Sequence, residues 1–297
     1  MNELKVLGLQ LKVDLDCTST DEYRIDTPEF QDEMQEVQKL ISIKNPNIII
    51  LPEMCYSEDY YTYFMNLSSD KLIVAGSIYH NGINQTVVFL ENKEYQIPKY
   101  NASGSEPMVR KTRTISTEDF FKNQLDSHTF SFNNKKIIVL NCMEYYQNAY
   151  YIARNIPDLF GILCICSNNN PKVFLEESRA IHNHCEDIYT FMVNCVSTYQ
   201  GKPYGKGESY IYGPIQEHEK EWLKKEEIIS EEHPSSILKL GNDSEYFYGE
   251  FINDFSRFGR SDKYLNNPKM VEVGKIRKKV RKWKKILLLH LVQPMKD

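Results

Sequence analysis

Three residues of types that are used in covalent catalysis each follow a predicted buried strand. Glu53 follows Ile-Ile-Ile-Leu-Pro, Lys99 follows Tyr-Gln-Ile-Pro, and Cys142 follows Ile-Ile-Val-Leu-Asn. In α/β sheets, side chains at the carboxyl ends of the strands converge on the crevice that binds the ligand. We therefore expect a carboxylate, an ammonium group and a thiol to meet in one crevice.

These three groups suit nucleophilic catalysis by a thiol. The thiolate is the nucleophile, and a nearby carboxylate can take the thiol proton as a general base. A lysine favours the thiolate and stabilises an oxyanion as its charge develops. The backbone N–H of Met143 would supply a second oxyanion donor. Each residue alone has an ordinary structural explanation, since single cysteines are commonly small buried side chains and single lysines are mostly exposed.

The first part of the chain is predicted to form a β-α-β unit. Residues 4–11 are a short apolar strand, and residues 29–43 place apolar side chains at helical spacing. Asp26-Thr27-Pro28 supplies a helix cap and an N-terminal proline. The run Ile48-Ile-Ile-Leu51 is typical of a buried strand.

Further strands and helices alternate along the rest of the chain. Residues 236–240 and 246–252 are predicted to pair with each other. We expect sheets covered by helices, in one domain over residues 1–258 followed by a basic, helical tail over residues 259–297. The remaining strands are predicted at residues 72–79, 86–90, 94–97, 137–140, 161–166, 188–196 and 208–212, and helices at 145–156 and 174–187.

The charge is unevenly distributed. The net charge is −5, with 36 Lys and Arg against 41 Asp and Glu. Residues 275–285 hold eight Lys or Arg, so the rest of the chain has 28 basic and 41 acidic residues, a charge of −13. A nucleic-acid-binding domain would be expected to carry its basic face on the fold itself.

The cysteine count and the opening residues favour a cytoplasmic protein. The chain has seven cysteines, an odd number, and no C-x-x-C pair. A disulfide framework is therefore not expected. The opening Met-Asn-Glu-Leu-Lys-Val lacks a basic region before an apolar core, and no apolar run is long enough to span a membrane.

Taken together, the motifs resemble those of the carbon–nitrogen hydrolase, or nitrilase/amidase, superfamily, in order and spacing over about residues 3 to 255. Asn47-Ile-Ile-Ile-Leu-Pro-Glu53 resembles the general-base motif, Ile97-Pro-Lys99 the lysine motif, and Val139-Leu-Asn-Cys142-Met-Glu144 the nucleophile motif. Weaker matches are Lys5-Val-Leu-Gly-Leu-Gln10, Ala75-Gly-Ser-Ile78, Asn84-Gln-Thr-Val-Val-Phe89, Val193-Asn194 and Gly207-Glu-Ser-Tyr-Ile-Tyr-Gly-Pro214.

The resemblance implies a four-layer αββα sandwich and acyl transfer at Cys142, followed by hydrolysis. The implied substrate is a small linear amide or N-carbamoyl compound, with no cofactor and no metal. Many members carry a second glutamate shortly after the lysine, and Glu106 is the best match here. Members of the superfamily usually assemble by pairing their sandwiches, so a homo-oligomer, a dimer or larger, is expected, with the basic tail docking in trans. Contact of the tail with nucleic acid or an anionic membrane is the less favoured alternative.

The chain departs from the family pattern around the acyl pocket. Met143 replaces the usual aromatic residue, and the segment after Glu144 lacks the common Phe-Pro-Glu. Met143 and Glu144 are therefore candidate substrate contacts of unusual type. Tyr60, in the tyrosine-rich stretch after Glu53, is a third candidate. The charged segment 217–232 is predicted to be a surface insertion, with a helix as one option for its structure.

One alternative to an enzyme remains open, and a metal site is considered but not expected. The altered pocket and the basic tail fit a catalytically lapsed binding or regulatory module that acts with a partner protein. Retention of all three core residues argues against it. His182-Asn-His184 suggests a metal cluster, but residues two apart on a helix face different sides, so no metal site is expected.

Overall fold

The computed structural model describes residues 3–17, 23–25, 27–103, 114–185, 188–213, 236–252 and 270–276. In these ranges the helices are α1 Pro28–Lys44, α2 Tyr61–Leu67 after a 3-10 turn at Glu58–Tyr60, α3 Thr117–Asn123, α4 Leu125–His128, α5 Met143–Asn155 and α6 Lys172–His184. The strands are β1 Glu3–Gln10, β2 Lys12–Cys17, β3 Tyr23–Arg24, β4 Ile48–Ile50, β5 Leu72–His80, β6 Ile83–Leu90, β7 Lys93–Pro98, β8 Thr129–Phe132, β9 Lys135–Asn141, β10 Leu159–Cys166, β11 Tyr189–Asn194, β12 Val196–Tyr199, β13 Lys202–Lys206, β14 Tyr210–Tyr212, β15 Ser236–Lys239, β16 Glu245–Ile252 and β17 Met270–Lys275.

Two large sheets form the centre of the molecule. The first has the order β17-β16-β1-β4-β5-β6-β7, and the second has the order β15-β14-β11-β10-β9-β8. In the first, β1, β4 and β5 run parallel, and in the second, β9, β10 and β11 do. A smaller sheet, β13-β12-β2-β3, lies beside them. The carboxyl ends of β4 and β9, which precede Glu53 and Cys142, therefore belong to different sheets.

The alternation of side chains along the strands produces four layers. In β4, Ile48 and Ile50 join the core between the sheets, whereas Ile49 joins the core that contains residues of α1 and α2. In β9, Val139 lies between the sheets and Leu140 packs with residues of α5 and α6. Since successive strand side chains point to opposite faces, each sheet is covered on both faces. The predicted αββα sandwich is confirmed.

Local signals fix the first helix where the sequence predicts it. The Thr27 side chain accepts a hydrogen bond from the N–H of Phe30 at 3.2 Å, and proline occupies the first turn. The helix ends at Asn45, whose φ of 42° is left-handed. Side-chain capping and a left-handed terminal residue satisfy backbone groups that would otherwise lack partners.

The predicted pairing of the two late strands is wrong. β15 pairs with β14 in the second sheet, whereas β16 pairs antiparallel with β1 from Glu3↔Ile252 to Gln10↔Glu245. Residues 241–244 carry the chain from one sheet to the other. Eight register pairs with β1 give β16 a longer ladder than a hairpin with the four-residue β15 could.

Part of the predicted tail belongs to the first sheet. β17 pairs antiparallel with β16 over six register pairs, from Glu245↔Lys275 to Glu250↔Met270. The predicted domain boundary at residue 258, the charged segment 217–232 and residues 277–297 lie outside the described residues. The helical character of the tail therefore stays a prediction.

Candidate active site

Cys142 lies at a strained turn between β9 and α5. Its backbone has φ 47° and ψ −106°, a conformation that costs a residue with a side chain about 1–3 kcal/mol and persists only when its surroundings impose it. The Cys142 backbone is held by three hydrogen bonds: its N–H donates to the Ile165 carbonyl at 2.8 Å, and its carbonyl accepts from the N–H groups of Tyr145 at 3.0 Å and Tyr146 at 3.4 Å. Sharp strand-to-helix turns of this kind present a nucleophile at the top of a sheet.

Glu53 is held in a turn just after β4. The N–H of Met54 donates to Ser77 Oγ at 2.9 Å, which ties the turn to β5. Gly76 lets β5 approach this closely, because a Cβ there would lie 2.6 Å from the Pro52 carbonyl oxygen. Its φ of +99° is also unfavourable for residues with side chains. The glycine therefore helps to fix where the Glu53 carboxylate points.

Lys99 and Glu53 form a buried ion pair. Lys99 Nζ donates to Glu53 Oε1 at 2.6 Å, and each side chain is only 1% exposed. Asn84 Nδ2 donates to the same oxygen at 2.8 Å, and the Ser167 N–H donates to Oε2 at 2.9 Å. Buried charges persist when they are paired and hydrogen-bonded, so this network compensates much of the burial cost.

One small cavity brings the three predicted residues together. Its volume is about 130 Å³. At the carboxyl ends of strands from two sheets it therefore holds a carboxylate, an ammonium group and a thiol, as the sequence predicts. Its lining residues are Glu53, Lys99, Ser103, Cys142, Ser167, Asn168, Asn169 and Tyr204.

The Cys142 thiol is protonated at rest. The hydrogen-bonding contact with Cys166, whose Sγ lies 3.5 Å from Cys142 Sγ, is the largest cause that raises the pKa of Cys142 well above its usual value, because it retains the proton on the Cys142 sulfur. Burial raises the pKa further, and the nearby Lys99 charge opposes both. Attack by this sulfur therefore requires a base that takes its proton during the reaction, and Glu53 borders the same cavity.

Glu144 connects the segments that carry Lys99 and Cys142. Its side chain is buried, and its Oε1 accepts from the N–H of Tyr100 at 2.7 Å while its Oε2 accepts from the N–H of Asn141 at 2.9 Å. His128 Nε2 lies 3.6 Å from Oε1, an electrostatic contact rather than a hydrogen bond. Both carboxylate oxygens are thus engaged with the residues that follow Lys99 and precede Cys142.

The other two predicted substrate contacts pack against hydrophobic cores. Met143 begins α5 and packs against the core between the second sheet and its helices. The Tyr60 ring lies edge-on to Phe30, with centroids 6.4 Å apart. Met143, Glu144 and Tyr60 are not among the residues that line the cavity. Their binding of substrate stays a prediction, and Glu106 lies outside the described residues.

Several residues of the cavity were not predicted from the sequence. Ser167 and Asn168 follow the buried run of β10, so the rule that selected Glu53 and Cys142 would have selected them too. Asn84 also hydrogen-bonds to Glu53, but from the start of β6 rather than from the end of a strand. Tyr204 comes from the hairpin of β12 and β13, which no local signal placed beside the cavity.

The described ranges contain neither a cluster of metal-ligating side chains nor a helix that could span a membrane. Within them, no three His, Cys, Asp or Glu side chains are grouped as a metal site would need. His182 packs against Tyr212, and His184 against Tyr150. Among these same residues, no helix combines the length and apolar character that crossing a membrane requires.

Solved structures share this fold at low sequence identity. The Nit3 protein of Saccharomyces cerevisiae, a member of branch 10 of the nitrilase superfamily, is 15% identical with a TM-score of 0.54, and the match covers 84% of this chain and 89% of that one. A CN-hydrolase superfamily protein of Xanthomonas campestris with an arsenic adduct in its active site is 10% identical with a TM-score of 0.56, covering 84% and 91%. A mutant of the amidase from Nesterenkonia sp. AN1, with acrylamide added at its active-site cysteine, is 11% identical with a TM-score of 0.50, covering 86% and 96%.

Sequence comparisons gave no match. No family model and no curated protein matches the chain. At these identities the structural likeness establishes the fold, which is that of the nitrilase superfamily.

Proposed function

We propose that this chain, which has the nitrilase-superfamily fold, hydrolyses the C–N bond of a small linear amide or N-carbamoyl compound through an acyl intermediate on Cys142. The observation that carries the proposal is the single cavity bordered by Glu53, Lys99 and Cys142. The strained backbone of Cys142 supports it, because such strain at a non-glycine residue concentrates at functional sites.

The reaction begins when Cys142 Sγ attacks the carbonyl carbon of the substrate. Glu53 takes the thiol proton as the carbon–sulfur bond forms, which avoids a free thiolate in a site that disfavours one. The carbonyl oxygen gains a negative charge, and Lys99 Nζ and the backbone N–H of Met143 stabilise it. Met143 is the first residue of α5, and the first N–H groups of a helix have no partner within the helix.

The intermediate then expels the amine, which takes the proton held by Glu53. A water molecule attacks the thioester, and Glu53 accepts one of its protons. The second tetrahedral intermediate collapses to release a carboxylic or carbamic acid, and the proton returns to the Cys142 sulfur. In this cycle Glu53 acts twice as a base and twice as an acid, as its position beside both Lys99 and the cavity permits.

The cavity favours a small, uncharged substrate. A volume of about 130 Å³ is well below that of common ligand pockets, which are about 300–1,000 Å³. The ammonium group of Lys99 is already paired with Glu53, and among the described residues the other polar lining side chains are neutral: three serine or tyrosine hydroxyls and two asparagine amides. Such groups suit an amide or a urea-like group, which both donates and accepts hydrogen bonds.

Two further elements of the proposal come from the family resemblance. Glu106 would orient the amide or the attacking water beside Lys99. A homo-oligomer, a dimer or larger, would form by pairing of the sandwiches, and light scattering during size-exclusion chromatography would measure its mass.

The direct test is turnover of a panel of short amides and N-carbamoyl compounds, followed by ammonia release and by the mass of the intact protein. Wild type is expected to release ammonia and to carry a transient acyl adduct on residues 137–154. The variant Cys142→Ala should do neither. Cys185→Ala is the matched control, since Cys185 is a partly buried cysteine at the end of α6 and should leave both signals unchanged.

Equal turnover of Cys142→Ala and wild type would exclude the proposal. No turnover by either protein, with a stable complex in pull-down experiments, would support the lapsed binding module instead.

A further inference from the structure

A second cysteine lies directly against the proposed nucleophile, and the mechanism above does not use it. Cys166 ends β10 and is fully buried, and its Sγ donates to Cys142 Sγ at 3.5 Å. Cys55, Cys142, Cys164, Cys166, Cys185 and Cys195 have described side chains, and none of these six forms a disulfide. A thiol at this position adds redox chemistry to the site.

The register of the second sheet makes this contact a consequence of the fold. Asn141 on β9 is the partner of Ile165 on β10, so Cys142 and Cys166 are the next residues on adjacent parallel chains. The Cys142 N–H still donates to the Ile165 carbonyl at 2.8 Å, so the two backbones remain at strand spacing. That spacing, about 4.8 Å, lies within the range of about 4.4–6.8 Å between Cα atoms that a disulfide requires.

We propose that Cys142 and Cys166 form a built-in dithiol, in which peroxide oxidises Cys142 and Cys166 then closes a disulfide onto it. The two sulfurs must approach from 3.5 Å to the bonded distance of about 2 Å, which small rotations of the two side chains can supply. The Cys142–Cys166 pair is therefore a modification site, and formation of the disulfide blocks the nucleophile reversibly.

The two thiols have different access to an oxidant. Cys142 borders the cavity, whereas Cys166 is buried behind it and is not among the lining residues. Peroxide therefore meets Cys142 first. Cys166 serves as the resolving thiol, a role that commonly protects a cysteine from irreversible oxidation.

Hydrogen peroxide is the oxidant, and the disulfide forms in two steps. Cys142 Sγ attacks one peroxide oxygen, the O–O bond breaks, and the thiol proton passes through Glu53 to the departing hydroxide, which leaves as water. The product is a sulfenic acid on Cys142. Cys166 Sγ then attacks that sulfur, the S–O bond breaks, and the Cys166 proton leaves with the hydroxide as a second water. Two thiols have lost two electrons and peroxide has gained them.

Other cysteines could compete, and they define the controls. Cys164 lies two residues before Cys166 on the same face of β10, and its burial raises its pKa. Cys164 is in register with Leu140 rather than with Cys142, so it is one strand repeat away along β10. We therefore expect Cys166, and not Cys164, to be the partner.

The test is peptide mapping of the full chain after limited hydrogen peroxide treatment, without reduction. Trypsin is expected to place Cys142 in residues 137–154 and both Cys164 and Cys166 in residues 155–172. A cross-link between these two peptides is expected in wild type and in Cys164→Ala, in which only Cys166 remains to form it. It should be absent in Cys166→Ala and Cys166→Ser, which instead accumulate sulfinic and sulfonic acid on Cys142.

Activity provides a second readout, and this part rests on the proposed function. Peroxide should abolish wild-type turnover, and dithiothreitol should restore most of it, whereas the loss in Cys166→Ala should be permanent. Three results would overturn the proposal: over-oxidised Cys142 in wild type with no cross-link, a cross-link that persists in both Cys166 variants, or equal recovery of wild type and Cys166→Ala.

The peptide map needs no turnover. A cross-link in a protein that hydrolyses none of the amides would therefore exclude the proposed function and leave the dithiol intact. Turnover without a cross-link would exclude the dithiol and leave the proposed function intact.

Discussion

The two sheets contribute to the cavity in opposite physical ways. The first sheet supplies Glu53 and Lys99 as a buried ion pair with hydrogen bonds from Asn84 and from the backbone of Ser167. The second sheet supplies Cys142 as a neutral thiol on a strained turn. The first half of the site is held by electrostatics, and the second by backbone geometry.

This difference separates stability from activity. Removal of one partner of a buried ion pair leaves a charge without compensation, which is strongly destabilising. Removal of a thiol from a strained turn leaves no unpaired charge. Substitutions in the first sheet should therefore damage both folding and turnover, whereas those at Cys142 should damage turnover alone.

The largest expected effect is at Cys142. Cys142→Ala should lower kcat by about 10³-fold or more, as loss of a nucleophile commonly does. Its free energy of unfolding should stay within about 1 kcal/mol of wild type, since one buried sulfur is lost. Cys142→Gly should be the more stable of the two variants, because glycine tolerates the φ of 47°. Kinetics with one amide substrate measure kcat, and urea denaturation measures the free energy of unfolding. A Gly variant less stable than the Ala variant would contradict the strain.

The second effect is at Glu53. Glu53→Gln should remove turnover and also destabilise the protein by about 3–5 kcal/mol, because Lys99 would be left charged and buried. The double variant Glu53→Gln with Lys99→Met should recover much of the stability and none of the activity. Glu36→Gln is the control, since the Glu36–Lys39 pair is 2.7 Å long, close to the 2.6 Å of the buried pair, but exposed, and its loss should cost no more than about 0.5 kcal/mol.

Equal stability of Glu53→Gln and wild type would show that the ion pair does not hold the first half of the site. Urea denaturation of wild type, Glu53→Gln, the double variant and Glu36→Gln decides whether the ion pair stabilises this half of the site.

The third effect is at Glu144, which connects the two halves. Glu144→Gln replaces one acceptor oxygen with a donor that faces a backbone N–H, so it should cost about 1–3 kcal/mol. Because the segments after Lys99 and before Cys142 lose their common partner, the catalytic groups are misplaced and kcat should fall about tenfold. Glu118→Gln, in an exposed pair with Lys122, is the control.

If Glu144 binds substrate, as the sequence predicts, the loss should appear mainly in KM. A fall in kcat with an unchanged KM would show that Glu144 positions Lys99 and Cys142. Comparison of the changes in kcat and KM therefore decides the role of Glu144.

The smallest expected effect is the pH dependence that His128 adds to stability. Burial by itself lowers the pKa of His128, but the Glu144 carboxylate and the Gln124 carbonyl outweigh it and raise the pKa above its usual 6.5. A raised pKa contributes stability that is complete below pH 6.5 and is lost as the pH rises through the folded value. His128→Gln should flatten this decline. Thermal unfolding between pH 5.5 and 8.5 measures it, and parallel curves for both proteins would contradict the pairing.

Most of the sheet and helix pattern could be predicted from local sequence. The helix after Thr27 and Pro28 and the strand Ile48–Ile50 were placed correctly, because capping residues and apolar periodicity act over a few neighbours. The pairing of β15 and β16 was not, because two strands separated by a short connection favour a hairpin when only the sequence is known. Only the longer ladder with β1, more than 200 residues away, decides the partner of β16.

The residues of the site also divide into those that a local sequence signal identifies and those that only the tertiary structure identifies. Glu53, Lys99 and Cys142 were selected because a polar residue after a buried strand is a local signal. The roles of Asn84, Cys166 and Tyr204 carry no such signal. Each depends on which strand lies beside which.

The sequence by itself determined the chemical types at the site and a class of sheets covered by helices, because strand ends and apolar periodicity are encoded in short stretches of chain, and the resemblance of its ordered motifs implied the αββα sandwich. The tertiary structure alone decided that Glu53 and Lys99 are paired at 2.6 Å, that Cys142 is strained, and that Cys166 lies against it. These features depend on register and on close packing between distant segments. A change of one residue in register would turn each strand's side chains to the opposite face and separate the two thiols.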